Sequence, residues 1–279
     1  NLSFKYSISH DSISQSLHKK LGERISVMDF GAKGDGVTDD TIAIQNTFVY
    51  AYYNKRSVIF PTGDYLISKP ILVFVNNGEG LSSINVSGES LSRTRIICSS
   101  DFSAHLSSGL LADTAAFIVV NQTFLNLDGT FKNGTGTTHG VYISDMRLVC
   151  QSENVKYGIM LAVLNANSTY KRLAIEKFSN AGIKNFNHFY LNILEKVRVH
   201  NSPIGFDHEL GINTSVKHDS CYVVGANDKA YLVGGAYMNM TNCCADGCTG
   251  TIFYLRGFQG VITNPGSESH NAKKMFYAR

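Results

Sequence analysis

The sequence predicts an all-β chain wound as a parallel β-helix of about nine or ten coils at the observed period. Three observations carry this. Two registers of apolar residues advance together: Ile159, Ile183, Phe206, Tyr231, Ile252 and Phe276, and Leu148, Leu173, Val197, Cys221 and Cys243, each in steps of 21 to 25 residues. Asn (23) and Gly (25) are abundant while charged residues make up only 17%. Corners that turn through left-handed backbone favour Asn and Gly, and stacked interiors favour uncharged side chains. Finally, beyond residue 54 no stretch shows a convincing helical period, and the Asn-Gly and Asp-Gly pairs lack the regular spacing of a sandwich built from hairpins.

The elements follow in order. Residues 1–24 read as a connector, with Ile13, Leu17 and Leu21 forming one stripe of a short helix over His10–Arg24. Residues 25–279 read as the β-helix, of which 25–56 form an opening motif and a covering helix. Ile25–Thr41 begins with strand-like alternation, turns at Gly31, Gly34 and Gly36, and offers Thr38, Asp39 and Asp40 as N-caps. The helix Thr41–Asn54 places Ile44, Phe48 and Tyr52 on one face, to cover a first coil whose edge and apolar interior would otherwise be open. A strand, Ser57–Phe60, follows at once. At the other end Phe276 lies three positions before Arg279 with nothing to cover its rung, so further coils or a partner are expected there.

Several classes are excluded. A net charge of +3 is far below the basic footprint of a nucleic-acid binder. Apolar runs such as Ile71–Val75 and Ala115–Val120 are too short to span a bilayer. Six cysteines in 279 residues make no disulfide scaffold. The cluster of Cys243, Cys244 and Cys248 lacks a second ligand pair at zinc spacing, so it reads as core packing in a protein folded in a reducing cytoplasm. No metal and no cofactor are expected.

The string Val27-Met-Asp-Phe-Gly-Ala-Lys-Gly-Asp-Gly-Val-Thr-Asp-Asp-Thr-Ile-Ala-Ile-Gln45 resembles the opening motif of the pectate-lyase-like right-handed β-helix superfamily. Val58-Ile-Phe-Pro-Thr-Gly-Asp-Tyr65 resembles its first coil, and Ile84-Asn-Val-Ser-Gly-Glu89 with Thr94-Arg-Ile-Ile97 its second. Leu17–Val27 is similar to the connector that precedes the β-helix in bacteriophage tailspikes and tail fibres. The resemblance implies a homotrimeric virion-tail protein, joined to other tail proteins through its N-terminus, that recognises bacterial surface polysaccharide and often cleaves it.

Fold does not supply function, so candidate residues were sought at outward positions beside the first register. Glycoside hydrolysis needs two carboxyl groups, one protonated and one ionised. Only the rung Phe206-Asp-His-Glu-Leu210 carries two acids there, which makes Asp207 and Glu209 the catalytic candidates, about 6.6 Å apart at roughly 3.3 Å per strand residue. Lys184, one rung away, would lower the Asp207 pKa and leave Glu209 as the acid. Phe186, Leu232 and Phe253 would form a sugar-stacking wall, and His208, His218 and Asp219 complete the substrate-binding set. A lyase would instead need a base and a cation near a uronate, which Lys184, Lys217, His218 and Arg198 offer. Glu176, Glu195 and Asp246 fall on outward or corner positions where charges are ordinary. Hydrolysis of capsule or O-antigen is the leading expectation, with a lyase or a non-catalytic glycan-binding segment of a tail fibre as alternatives.

Overall fold

The structure, a computed structural model, describes residues 3–4, 15–16, 24–75, 83–104, 114–121, 137–162, 164–186, 188–208 and 213–279. The chain is a parallel β-solenoid of about eight turns, fewer than the nine or ten expected, because its first coils are long: the ladder A strands that begin at Ile71, Ala115 and Tyr157 are 44 and 42 residues apart rather than 21 to 25. Three long ladders run along its axis. Ladder A stacks Ile71–Val75, Ala115–Asn121, Tyr157–Leu161, Ala181–Asn185, Ile204–His208, residues 229–233, residues 251–255 and Lys274–Ala278. Ladder B stacks Gly63–Ile67, Thr94–Cys98, residues 147–150, 173–176 and 197–200, Tyr222–Val224, Cys244–Asp246 and Gly266–Ser267. Ladder C stacks Ser57–Phe60, Ile84–Gly88, residues 141–144, 169–171 and 193–195, Lys217–Asp219, and residues 239–241 and 261–263.

The helix Thr41–Asn54 lies against Ile71–Val75, as expected of a cover. Its Gln45 side chain both accepts from the Leu72 N–H (2.8 Å) and donates to the Leu72 carbonyl (3.2 Å), so one residue satisfies backbone that would otherwise be an open edge. Its buried face is Ile44, Thr47, Phe48 and Ala51, whereas Tyr52 is only half-buried. Asp40 is the N-cap by position, but its carboxylate turns away from the helix to accept from the N–H groups of Lys33 and Gly34 (2.6 and 3.0 Å), fixing the glycine loop instead. This is the one α-helix among the described residues. The helix expected over His10–Arg24 is not continuous, since Gln15–Ser16 pairs antiparallel with Ser3–Phe4. Ile13, Leu17 and Leu21 lie outside the described residues.

The first register stands. Ile159, Ile183, Phe206 and Tyr231 pair in sequence, and the next two partners are Phe253 and Phe276. The step to Ile252 was one residue short, because strand alternation puts Phe253 above Tyr231. The four rings Phe206, Tyr231, Phe253 and Phe276 stack at centroid spacings of 5.3, 4.9 and 5.1 Å. In the second register Leu173 pairs with Val197, but Leu148 pairs with Ile175, so its column is offset by two. Cys98 and Cys150 are also register partners, and Cys221, Cys243 and Cys248 are buried with free thiols.

Corners stack as well. One column runs through Asp145, Arg172, Lys196, Ser220, Asn242 and Asn264, each with φ between 48 and 62°. Another runs through Lys177, Asn201, Gly225 and Gly247. Each turn is fastened by an N–H that reaches the neighbouring coil, as from Asn201 to the Val224 carbonyl (2.8 Å). The expected Asn and Gly share these places with Arg and Lys. Asparagine also serves inside, where Asn165, Asn185, Asn192 and Asn213 are buried: Asn192 donates to the Asn165 carbonyl (2.8 Å) and accepts from the Ser168 N–H (2.7 Å), saturating buried backbone at a corner.

Candidate functional site

The residues singled out from the sequence do not converge. Asp207 does point outward, but it is locked in an ion pair with Lys184 (2.6 Å) whose side chains are only 7% and 9% exposed. Around this pair the outer face of ladder A is apolar and buried, through Ile118, Met160 and Leu232. Phe186 packs edge-on to Tyr157 at 5.6 Å, with the Lys184 ammonium 5.2 Å from its ring. Glu209 lies outside the described residues. Phe253 faces inward and Leu232 is buried, so neither belongs to an exposed sugar-stacking wall.

His208 and His218 are corrections. Alternation from the inward Phe206 turns Asp207 out and His208 in, and His218 sits in an inward column between Leu194 and Met240. Both are fully buried, meet at 5.3 Å, and lie among Phe189, Phe206 and Tyr231 with no hydrogen bond to any ring nitrogen. Burial drives both pKa values down, that of His218 to about 3. They are neutral core residues and touch no substrate. Asp219 faces outward on ladder C, held by Lys217 (2.8 Å), which keeps its carboxyl ionised. Its register partner is Glu195, itself paired with Lys171 at 2.9 Å.

The constellation with the most chemistry lies on the outer face of ladder B. One outward column reads Arg95, Arg147, Ala174, Arg198 and Tyr222 on successive rungs, and the column beside it places Glu176 in register with His200. The small, buried Ala174 separates Arg147 from Arg198, which stand two rungs apart, about 9.6 Å by ladder spacing. Arg95 is engaged by Asp64, donating from Nε at 2.6 Å. Arg147 approaches Glu176 at 3.4 Å, yet its buried Nε–H makes no hydrogen bond. Burial, aided by the charges of Arg198 and Arg147 and opposed by Glu176, lowers the pKa of the half-buried His200, leaving a neutral imidazole at neutral pH. Burial, with the charges of Asp246 and Glu268, raises that of Tyr222 and keeps its phenol protonated. A neutral base, two cations and a phenolic acid thus share one polar surface. Of these residues the sequence offered only Arg198, as a cation for a lyase, and Glu176, as an ordinary surface charge; Arg147, His200 and Tyr222 lie beside the second register rather than the first. The same positions after Leu173, Val197 and Cys221 give Ala174, Arg198 and Tyr222, then Glu176, His200 and Val224. Among the described residues no group of three or more His, Cys, Asp or Glu side chains converges as a metal site would require.

This solenoid, with a helix packed on its first coil and a polar outer face on ladder B, defines the class of single-stranded parallel β-helices, and comparison with known proteins gives its family. The chain belongs to the family described as Rhamnogalacturonase A/epimerase, pectate lyase-like, which matches residues 24–274. Its fold is that of phage tailspikes. It is similar to ORF18 of Geobacillus virus E2, with 16% identity over 99% of this chain and 68% of that one at a TM-score of 0.54. Tailspike protein 3 of bacteriophage CBA120 gives 14% identity over 96% of this chain and 37% of that one, also at 0.54. A curated relative, the non-secreted LysM effector LysM19 of Penicillium expansum, is 41% identical over 61 residues, 18% of this chain. The chain spans only 5% of that relative's length.

Proposed function

We propose that this chain is the glycan-engaging β-helix of a phage tail, and that it cleaves an acidic bacterial surface polysaccharide by β-elimination on the outer face of ladder B. The observation that carries the reading is the neutral, half-buried His200 beside the Arg147–Arg198 column. In a 4-linked uronate the proton on C5 is acidified when cations neutralise the neighbouring carboxylate. Arg147 and Arg198 bind that carboxylate, and His200 removes the proton. The C4–O bond breaks as the C4=C5 double bond forms, and the departing oxygen takes a proton from Tyr222. No oxidant, reductant or metal enters the balance. Hydrolysis through Asp207 and Glu209 has less support, because the Lys184 ammonium holds Asp207 in a structural pair.

The test is incubation with uronate-rich capsule, following unsaturated product by ultraviolet absorbance and new chain ends by reducing-sugar assay. Both signals are expected, and His200→Asn should slow both by about 10²-fold or more, the range for loss of a general base. Reducing ends without absorbance, or an undiminished rate in His200→Asn, would overturn the assignment. A second reading, a non-catalytic binding module, is favoured by one observation. Asp64, Asp145, Glu176, Glu195, Asp207 and Asp219 each lie within ion-pair distance of an Arg or Lys. Glycan retention with neither signal selects it.

A further inference from the structure

Ladder A changes character along its length. Its outer face is buried from Leu72 to Leu232 and apolar there except for the Lys184–Asp207 pair, then opens into an aromatic and cationic strip on the rungs of residues 251–255 and 274–278. Tyr254 and Tyr277 are register partners that both face outward, because Phe253 and Phe276 before them stack inward. Their rings lie 4.7 Å apart and 29° from parallel. Lys229 sits over the Tyr254 ring at 5.3 Å, and Lys274 over Tyr277 at 4.8 Å. Those lysines share one outward column, Lys229, Thr251, Lys274, on one flank of the tyrosines. Arg256, two positions after Tyr254, is exposed on the other flank. Gly234 of the rung below packs directly under it: a Cβ there would lie 2.2 Å from the Arg256 carbonyl oxygen. Asp228, bonded to Lys229 at 2.8 Å, is the carboxylate of this strip.

We infer that the Tyr254–Tyr277 ladder is a second glycan-binding surface, a non-catalytic holdfast for an acidic polysaccharide running along the solenoid axis. Sugar rings have apolar faces that pack on aromatic surface, and the stacked tyrosine pair, half-buried, presents the outward side of both rings to such a face. Lysine ammonium groups already drawn over the rings place positive charge where a carboxylate on the same sugar would lie. Asp228 answers Lys229, so the positive charge over the Tyr277 ring comes from Lys274, and an acidic glycan can pair with it where a neutral one cannot. The inference rests on the proposed preference for acidic glycan, but not on any chemistry at ladder B.

The experiment is retention of the whole chain on beads bearing polygalacturonate, with dextran beads and a single-stranded oligodeoxynucleotide as competitors. Selective retention by polygalacturonate, lost as salt rises, is expected. Tyr254→Ala with Tyr277→Ala should weaken it about tenfold, the scale of two stacking contacts of about 0.7 kcal/mol each. The Phe variants at both positions should restore it, and Lys274→Gln, a surface change, should weaken it without loss of folding. Retention is scored apart from product release, and the Tyr254→Ala/Tyr277→Ala chain should release unsaturated product at an unchanged rate, so a failure of the cleavage reading leaves this result legible. Equal retention on dextran, stronger binding of the oligonucleotide, or wild-type retention by Lys274→Gln and the Ala pair would overturn the holdfast.

Discussion

A carboxylate that faces outward in a β-helix invites a catalytic role, and Asp207 shows why geometry has to be consulted first. It and Lys184 occupy adjacent rungs of a face buried among apolar neighbours, so each ion's desolvation is offset mainly by the other. Removing one partner from such a pair leaves an uncompensated buried charge and typically costs about 3–5 kcal/mol, whereas replacing both by apolar groups is often near neutral. Asp207→Asn is therefore expected to lower thermal stability markedly, and the double variant Lys184→Met/Asp207→Leu to recover most of it. A catalytic Asp207 predicts the opposite pattern, lost activity at unchanged melting temperature. The residue type and rung were legible in the sequence. What neighbours would exclude water from them was not, because that outer face is assembled from strands more than a hundred residues apart.

At the scale of elements, ladders A and B must close against each other at a sharp corner, and glycine makes the approach possible. Gly158, Gly182 and Gly205 recur on successive rungs of ladder A, each opposite a branched ladder B side chain. A Cβ on Gly182 would lie 2.6 Å from both Val199 methyl groups and 2.9 Å from the Gly205 carbonyl oxygen. Gly182→Ala is expected to destabilise by about 1–3 kcal/mol, the usual cost of overpacking. Chemical denaturation of Gly182→Ala beside Gly182→Ala/Val199→Ala measures it. Rescue by the second change would identify the clash, and a neutral single variant would refute the tight corner. The glycine period is visible in the sequence. Its partner column is not, since Val199 and Gly182 belong to different registers.

For the molecule as a whole, stability of a solenoid is a sum over coils and their interfaces, so a weak middle matters more than a weak end. His208 and His218 occupy that middle without hydrogen-bond partners. Both have native pKa values pushed down by burial, that of His218 to about 3, while the unfolded chain binds protons near the ordinary value of 6.5. Between those limits the unfolded state holds more protons, so stability is full above about pH 6.5 and falls as pH drops. The slope is about 1.4 kcal/mol per pH unit for each histidine. Melting temperature should thus decline from pH 7 to pH 5, before most carboxylates titrate. His218→Leu, which keeps the column apolar, should flatten the decline. An unchanged profile in that variant would show that another group governs it.

The sequence by itself determined the winding. Apolar residues every 21 to 25 positions, punctuated by polar corners, have few other ways to bury themselves, and the same strings carried the likeness to a known family. It also fixed the covering helix, because composition and local turns specify that element without distant partners. Only the tertiary structure decided which carboxylates are neutralised, which histidines lie inside, and which face gathers base, cations and phenol. Those properties depend on vertical neighbours, and a one-residue change of register, as between Ile252 and Phe253, exchanges the inside of a strand for the outside.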